Sequence, residues 1–166
     1  MRFKILAFLL LVLAYKSLAQ RNYTGKYNDH FGHELRLNSD STFKHTTRID
    51  LIYSWTSGIW EFNNDTIYLK PVFIYDTLTF VNKEKVIIDS LVLSFDEKGE
   101  KINSDQYATL TREYGGIKQN QFIIPEKVYY KEDRLYLIGK NGRLIKKKSK
   151  PFKTRNKHIS WYIKKN

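Results

Sequence analysis

Apolar and polar side chains alternate one for one along much of this chain, and that period of two restricts the fold more than any other feature. His33, Leu35 and Leu37 fall on one face of a short segment, with Glu34 and Arg36 on the other. Phe43, His45, Thr47 and Ile49 share a face of the next, with Lys44, Thr46 and Arg48 opposite. Asn38-Ser39-Asp40-Ser41 between them is turn chemistry. The two segments predict a hairpin whose inward face carries Leu35, Leu37 and Phe43 together with His33 and His45.

The same reading extends along the chain. Trp60 and Phe62 alternate after Gly58, Asn63-Asn64-Asp65 turns, and Ile67 and Leu69 point together before Pro71 limits the strand. Leu78 and Phe80 alternate, and Val86 to Phe95 is apolar enough to predict a central strand. Tyr107 to Arg112 reads as a further, weaker strand. Lys127–Tyr130, Arg134–Ile138 and Arg143–Lys147 read as three short strands, the last two joined through Asn141-Gly142. Residues 158–163 read as a last strand with Ile159, Trp161 and Ile163 in phase. No long 3.6-residue stripe appears, while Tyr (12), Phe (10), Thr, Ile and Val abound. The expected fold is all-β: a single antiparallel β-barrel of roughly 8–10 short strands, with a sandwich as the other arrangement of the same strands.

The N-terminus predicts a destination. Met1-Arg2-Phe3-Lys4 is basic, Ile5 to Ala14 is an unbroken apolar run of ten residues, and Ser17-Leu18-Ala19 has small side chains where a signal peptidase reads. Residues 1–19 are therefore expected to be a cleaved signal peptide, and 20–166 a single β domain. Ten apolar residues are about half of the roughly 20 that a bilayer-spanning helix needs, and no later run approaches that length. With no cysteine in the chain, no lipid can be attached after the cleavage site. Thiol catalysis and Cys-ligated zinc are excluded too, and a bacterial envelope suits an exported chain without disulfides. The expected product is periplasmic or extracellular, and not lipid-anchored.

Subtracting that segment redistributes the charge. The whole chain carries a formal net charge of +12. Residues 20–145 hold 17 basic and 17 acidic residues, whereas residues 146–166 hold nine basic residues and no acidic one. Lys146, Lys147, Lys148, Lys150, Lys153, Arg155 and Lys157 form the dense part, a candidate contact for anionic envelope components such as lipid headgroups or acidic glycans. Nucleic acid fits an exported chain less well.

Gly25-Lys26-Tyr27, then Leu35-Arg36-Leu37 through Asp40-Ser41-Thr42-Phe43, Gly58-Ile59-Trp60, and Asn64 to Leu69 occur in that order. The series resembles small lipocalin-like domains of exported bacterial proteins, over about residues 25–69. Ser41 stands where that pattern has glycine, and Tyr27 where lipocalins proper have tryptophan. The resemblance implies an up-and-down barrel with an apolar interior and names no ligand.

Candidate binding residues follow from the inward faces and the aromatics: Tyr27, His33, His45, Trp60 and Phe80. Two inward imidazoles suit the polar end of a ligand or a transition metal. No spaced metal motif accompanies them, so no metal is assigned. No nucleophile elbow, zinc-protease motif or phosphate loop is present. Asp96-Glu97 and Glu132-Asp133 lie in expected turns, where solvated carboxylates are normal. The sequence therefore favours binding of an apolar or amphipathic small molecule over catalysis, without a cofactor. A contact between the basic segment and the envelope is the alternative.

Overall fold

Eight antiparallel strands close on themselves into a barrel in the computed structural model, which describes residues 23–121, 124–150 and 156–165. In chain order the elements are β1 (Gly25–Asn28), β2 (His33–Leu37), β3 (Thr42–Ile49), β4 (Ile52–Asn63), β5 (Thr66–Pro71), β6 (Tyr75–Val81), β7 (Ile87–Leu93), β8 (Lys101–Asn103), α1 (Ser104–Glu113), β9 (Ile117–Gln119), β10 (Lys127–Lys131), β11 (Arg134–Leu137) and β12 (Tyr162–Lys165). The barrel runs β1-β2-β3-β4-β5-β10-β11-β12 and returns to β1. The expected signal segment, residues 1–19, lies outside the described residues. No helix among the described residues is long and apolar enough to cross a membrane.

The β2–β3 hairpin has the register its alternation requires: Leu35 faces His45, Leu37 faces Phe43 and His33 faces Thr47. The inward set is buried, from Tyr27, Leu35, Leu37, Phe43 and Trp60 to Ile67, Leu69, Val128, Leu135 and Tyr162. Gly58 is required here. A Cβ at this position would lie 2.1 Å from the Lys70 carbonyl and 2.8 Å from the Phe43 ring, so its bare backbone makes room for Phe43.

The two ends of the barrel differ. Short turns at 38–41, 64–65 and 132–133 close one end, and Tyr23 plugs it, stacked on Phe62 at 3.8 Å and edge-on to Tyr130 at 4.6 Å. Tyr27 donates its hydroxyl to the Tyr23 carbonyl at 2.8 Å. We call this the plugged end. The other, the loop end, carries the 29–32, 50–51, 72–126 and 138–161 connections.

Between β5 and β10 the chain builds a second layer, a three-stranded sheet in the order β7-β6-β8 followed by α1. It is fastened to the outer wall of β4. Trp55, buried on that outer wall, donates its indole N–H to the Phe95 carbonyl at 2.9 Å. The buried Gln119 side chain accepts from Ile74 N (3.0 Å) and donates to Ile74 O (2.9 Å), so its amide acts as one more rung of a ladder. β9 lies parallel to the start of β4.

Four sequence expectations are corrected. Tyr107–Arg112 is helical: Asn103 caps α1, its side chain accepting from Gln106 N while Gln106 reaches back to Asn103 N, a reciprocal capping box. The run from Val86 supplies β7, an edge strand rather than a central one, with Ile87 and Leu91 exposed. Arg143–Lys147 forms no strand, and only an isolated bridge joins Ile138 to Leu144. The last strand has the opposite phase: Ser160 and Tyr162 are buried and Ile163 is exposed. Trp161 instead packs on Tyr136 at 5.5 Å, giving each face of the segment its own aromatic anchor.

Candidate functional site

The loop end brings together all four histidines of the chain. The rings of His33 and His45 lie 5.8 Å apart, centroid to centroid, and those of His30 and His158 lie 5.2 Å apart. The first pair is the inward one. It belongs to a chain of polar groups running from the rim down into the barrel.

Asp29 begins that chain. Its Oδ1 accepts from Phe31 N at 2.8 Å and His33 N at 2.9 Å, which folds the 29–33 connection into an Asx-type turn. Its Oδ2 meets His33 Nδ1 at 2.6 Å. Burial raises the Asp29 pKa, but the hydrogen bonds from the His33 ring and backbone lower it further, so the net shift is downward and the carboxylate stays ionised. An ionised Asp29 accepts from His33, so Nδ1 carries a proton and the ring is held in one orientation. Gly32 makes the turn possible. It has φ +85°, and a Cβ there would lie 2.2 Å from the Arg48 carbonyl.

His45 lies one step deeper and is 2% exposed. Burial first, then the neighbouring His33, pushes its pKa down to about 4, with Asp29 opposing. It is therefore neutral near pH 7. Its Nε2 is 3.1 Å from the Tyr162 hydroxyl, and burial holds that phenol protonated well above its usual range. Thr47, the register partner of His33, has a buried Oγ1 with no hydrogen-bond partner among the described residues, as does Asn28 Oδ1. Buried polar atoms are nearly always paired, with protein, water or ligand.

A cavity of about 430 Å³ opens onto this chain of groups. Asp29, His33, Ser149, Ser160 and Tyr162 are its polar lining, and Phe31, Ile124, Pro125 and Leu137 its apolar lining. Ser160 is already engaged, donating to the Lys147 carbonyl at 2.7 Å. The volume lies within the roughly 300–1,000 Å³ of small-molecule sites. No three metal-ligating side chains are grouped to hold an ion among the described residues.

The sequence candidates are distributed unevenly. His33 lines the cavity and His45 lies beneath it. Tyr27 and Trp60 sit in the packed half, Trp60 donating its indole N–H to the Asn38 carbonyl at 3.1 Å at the plugged end. Phe80 is on β6 in the second layer and is not brought to the barrel interior. Lys146, Lys147, Lys148, Lys150 and Lys157 are exposed at the loop end, while Lys153 and Arg155 fall outside the described residues. Reciprocal backbone hydrogen bonds of 2.8 Å between Ser149 and His158 hold the two flanks of this basic segment together.

Sequence reasoning passed over Asp29, Thr47, Leu137 and Tyr162. The signal for Asp29 was its position two and four residues before Phe31 and His33, the spacing of a side-chain-capped turn. Tyr162 was hidden by the inverted phase of its strand. No family model matches this chain, and no curated protein or solved structure matches it.

Proposed function

We propose that this protein is an exported, lipocalin-like carrier or sensor that binds one small amphipathic molecule at the loop end of its barrel. The observation that carries the reading is the mixed lining of the 430 Å³ cavity, where the Asp29–His33 pair and Tyr162 join Phe31, Ile124 and Leu137. An apolar tail fits the second group. A polar head fits the first, where Asp29, the His33 ring and the Tyr162 hydroxyl offer directed hydrogen bonds. Burial of the tail drives such binding, and the polar groups set its orientation. The placement of Gly25 and Tyr27 on the first strand, beside the plugged end, supports the lipocalin-like relationship. The basic and apolar N-terminal segment supports export, to the periplasm or beyond.

The test is a fluorescence titration with anilinonaphthalene sulfonate, followed by displacement with fatty acids of increasing chain length. Saturable binding is expected, abolished by Leu137→Trp, which adds bulk to the apolar lining, and weakened by Tyr162→Phe. Absence of saturable binding, or equal binding by the filled variant, overturns the reading.

A further inference from the structure

The β3–β4 hairpin ends in a feature that neither the core nor the cavity explains. Ile49 pairs with Ile52, and the two-residue turn between them is Asp50-Leu51. Leu51 is 95% exposed, Ile52 55% and Ile49 52%. Three large aliphatic side chains therefore crowd a single hairpin tip, where turn chemistry ordinarily places polar residues. The tip is braced. Tyr53 N donates to the Gly116 carbonyl at 2.6 Å, and Gly116 packs against the Leu51 carbonyl so closely that a Cβ would lie 2.5 Å from it. The same 114–116 turn presents Tyr114, 45% exposed.

Cations stand at the same end of the molecule. Arg48 precedes the tip and lies over the Tyr53 ring at 5.7 Å. The 138–161 connection also leaves from the loop end, with Lys146, Lys147, Lys148, Lys150 and Lys157 exposed and Ser149 forming part of the cavity wall. In the cyclic strand order, the β3–β4 tip and the β11–β12 connection lie on opposite sides of the rim. The loop end thus carries an apolar prong on one side of its rim and a connection rich in exposed lysines on the other. Asp50 lies within the prong and Glu113 adjoins the 114–116 turn that braces it, so two carboxylates stand beside the apolar side chains.

We infer that the loop end docks on an anionic lipid bilayer, with Ile49, Leu51 and Ile52 entering the headgroup–acyl boundary and the Lys146–Lys150 segment resting on anionic headgroups. Apolar side chains at the interface, backed by basic ones, are the chemistry of reversible membrane attachment. Docked so, the cavity faces the bilayer from which an amphipathic molecule would come. The attachment stands on the prong and the lysines, and does not require the cavity to be filled.

Sedimentation with phosphatidylcholine–phosphatidylglycerol vesicles tests this, on the purified chain with its N-terminus established by mass spectrometry. Parent and variants then share the same start, and any contribution from it cancels. Binding should weaken at least roughly tenfold on neutral phosphatidylcholine alone, and by about as much in the Leu51→Ser, Ile52→Ser double variant. Replacing Lys146, Lys147, Lys148 and Lys150 by Ser should weaken it too and flatten its salt dependence. In a Leu51→Trp variant, the emission of the introduced indole should shift to the blue on the vesicles and be quenched by brominated lipid. Circular dichroism confirms folding of each variant. A parent chain that does not sediment, serine variants that sediment like the parent, or an absence of quenching in the L51W variant each overturns the inference. Retained dye binding by the double variant would separate docking from the cavity.

Discussion

The two ends of one barrel use the same strands for opposite purposes. Near the plugged end, inward positions are Tyr27, Leu37, Phe43, Trp60, Ile67 and Leu69, and the polar atoms of the two large rings are capped by backbone carbonyls. A few residues further along the same strands, inward positions are His33, His45, Thr47, Ser54 and Thr56. Alternation sets which face is inside, but nothing in it sets how polar the inside is. The contrast teaches that this barrel keeps its stability at one end and leaves the other chemically addressable.

The largest expected effect tests the first half of that statement. Trp60→Ala should cost about 3–5 kcal/mol, since it empties an aromatic site that neighbouring strands cannot collapse to fill. Urea unfolding is the measurement, and a loss below about 1 kcal/mol would show that the plugged end is not the seat of stability.

Acid should act at the other end. The His45 pKa in the fold is about 4, against an ordinary 6.5. Its depression means that the unfolded chain binds more protons between those values. The stabilisation is fully present above pH 6.5, declines as pH falls towards 4 and is gone below that. Its full size is about 3 kcal/mol. The unfolding midpoint measured against pH should slope across this window, and His45→Gln should flatten it.

Asp29→Asn should cost about 1.5–3 kcal/mol near neutral pH, because a charge-assisted contact and two backbone caps weaken together. Since the folded Asp29 pKa lies below 3.8, its contribution is present above 3.8 and disappears only as pH falls through the folded value. The acid profile of the parent should therefore show two stages, with the Asn variant lacking the lower one.

The smallest effect sharpens the comparison most. Thr47→Val removes a buried hydroxyl that has no partner among the described residues. Stability should change by less than about 1 kcal/mol, and upward if at all. A stability loss of the size expected for Trp60→Ala would mean that the loop end is packed as the plugged end is.

How much of this was legible in the sequence depended on range. The β2–β3 hairpin was readable because its turn and both its faces lie within seventeen consecutive residues, 33–49. Its register alone placed His33 and His45 on a common inward face. α1 was hard to read by periodicity, since it is only ten residues long, none of them is fully buried, and Tyr107, Leu110 and Thr111 make a short, half-buried stripe. Its other mark was the Asn103–Gln106 capping pair. The phase of β12 was ambiguous because Trp161 and Tyr162 are adjacent and aromatic, and both find partners on their own sides of the wall. The division into barrel and second layer was invisible. β6 and β7 alternate much as barrel strands do, and only pairing partners distant in sequence decide which sheet a strand joins.

The excursion between β5 and β10 has a kinetic consequence. β1 to β5 pair with their sequence neighbours, so this part can assemble from local contacts. Two seams cannot: β10 must find β5 across residues 72–126, and β12 must find β1 from the far side of the chain. Distant pairings slow folding more than they weaken the product, because loop-closure entropy grows only with the logarithm of loop length. The half-built sheet would wait with the free edges of β1 and β5 exposed until β12 arrives. In the meantime those edges risk pairing with a second copy of the chain.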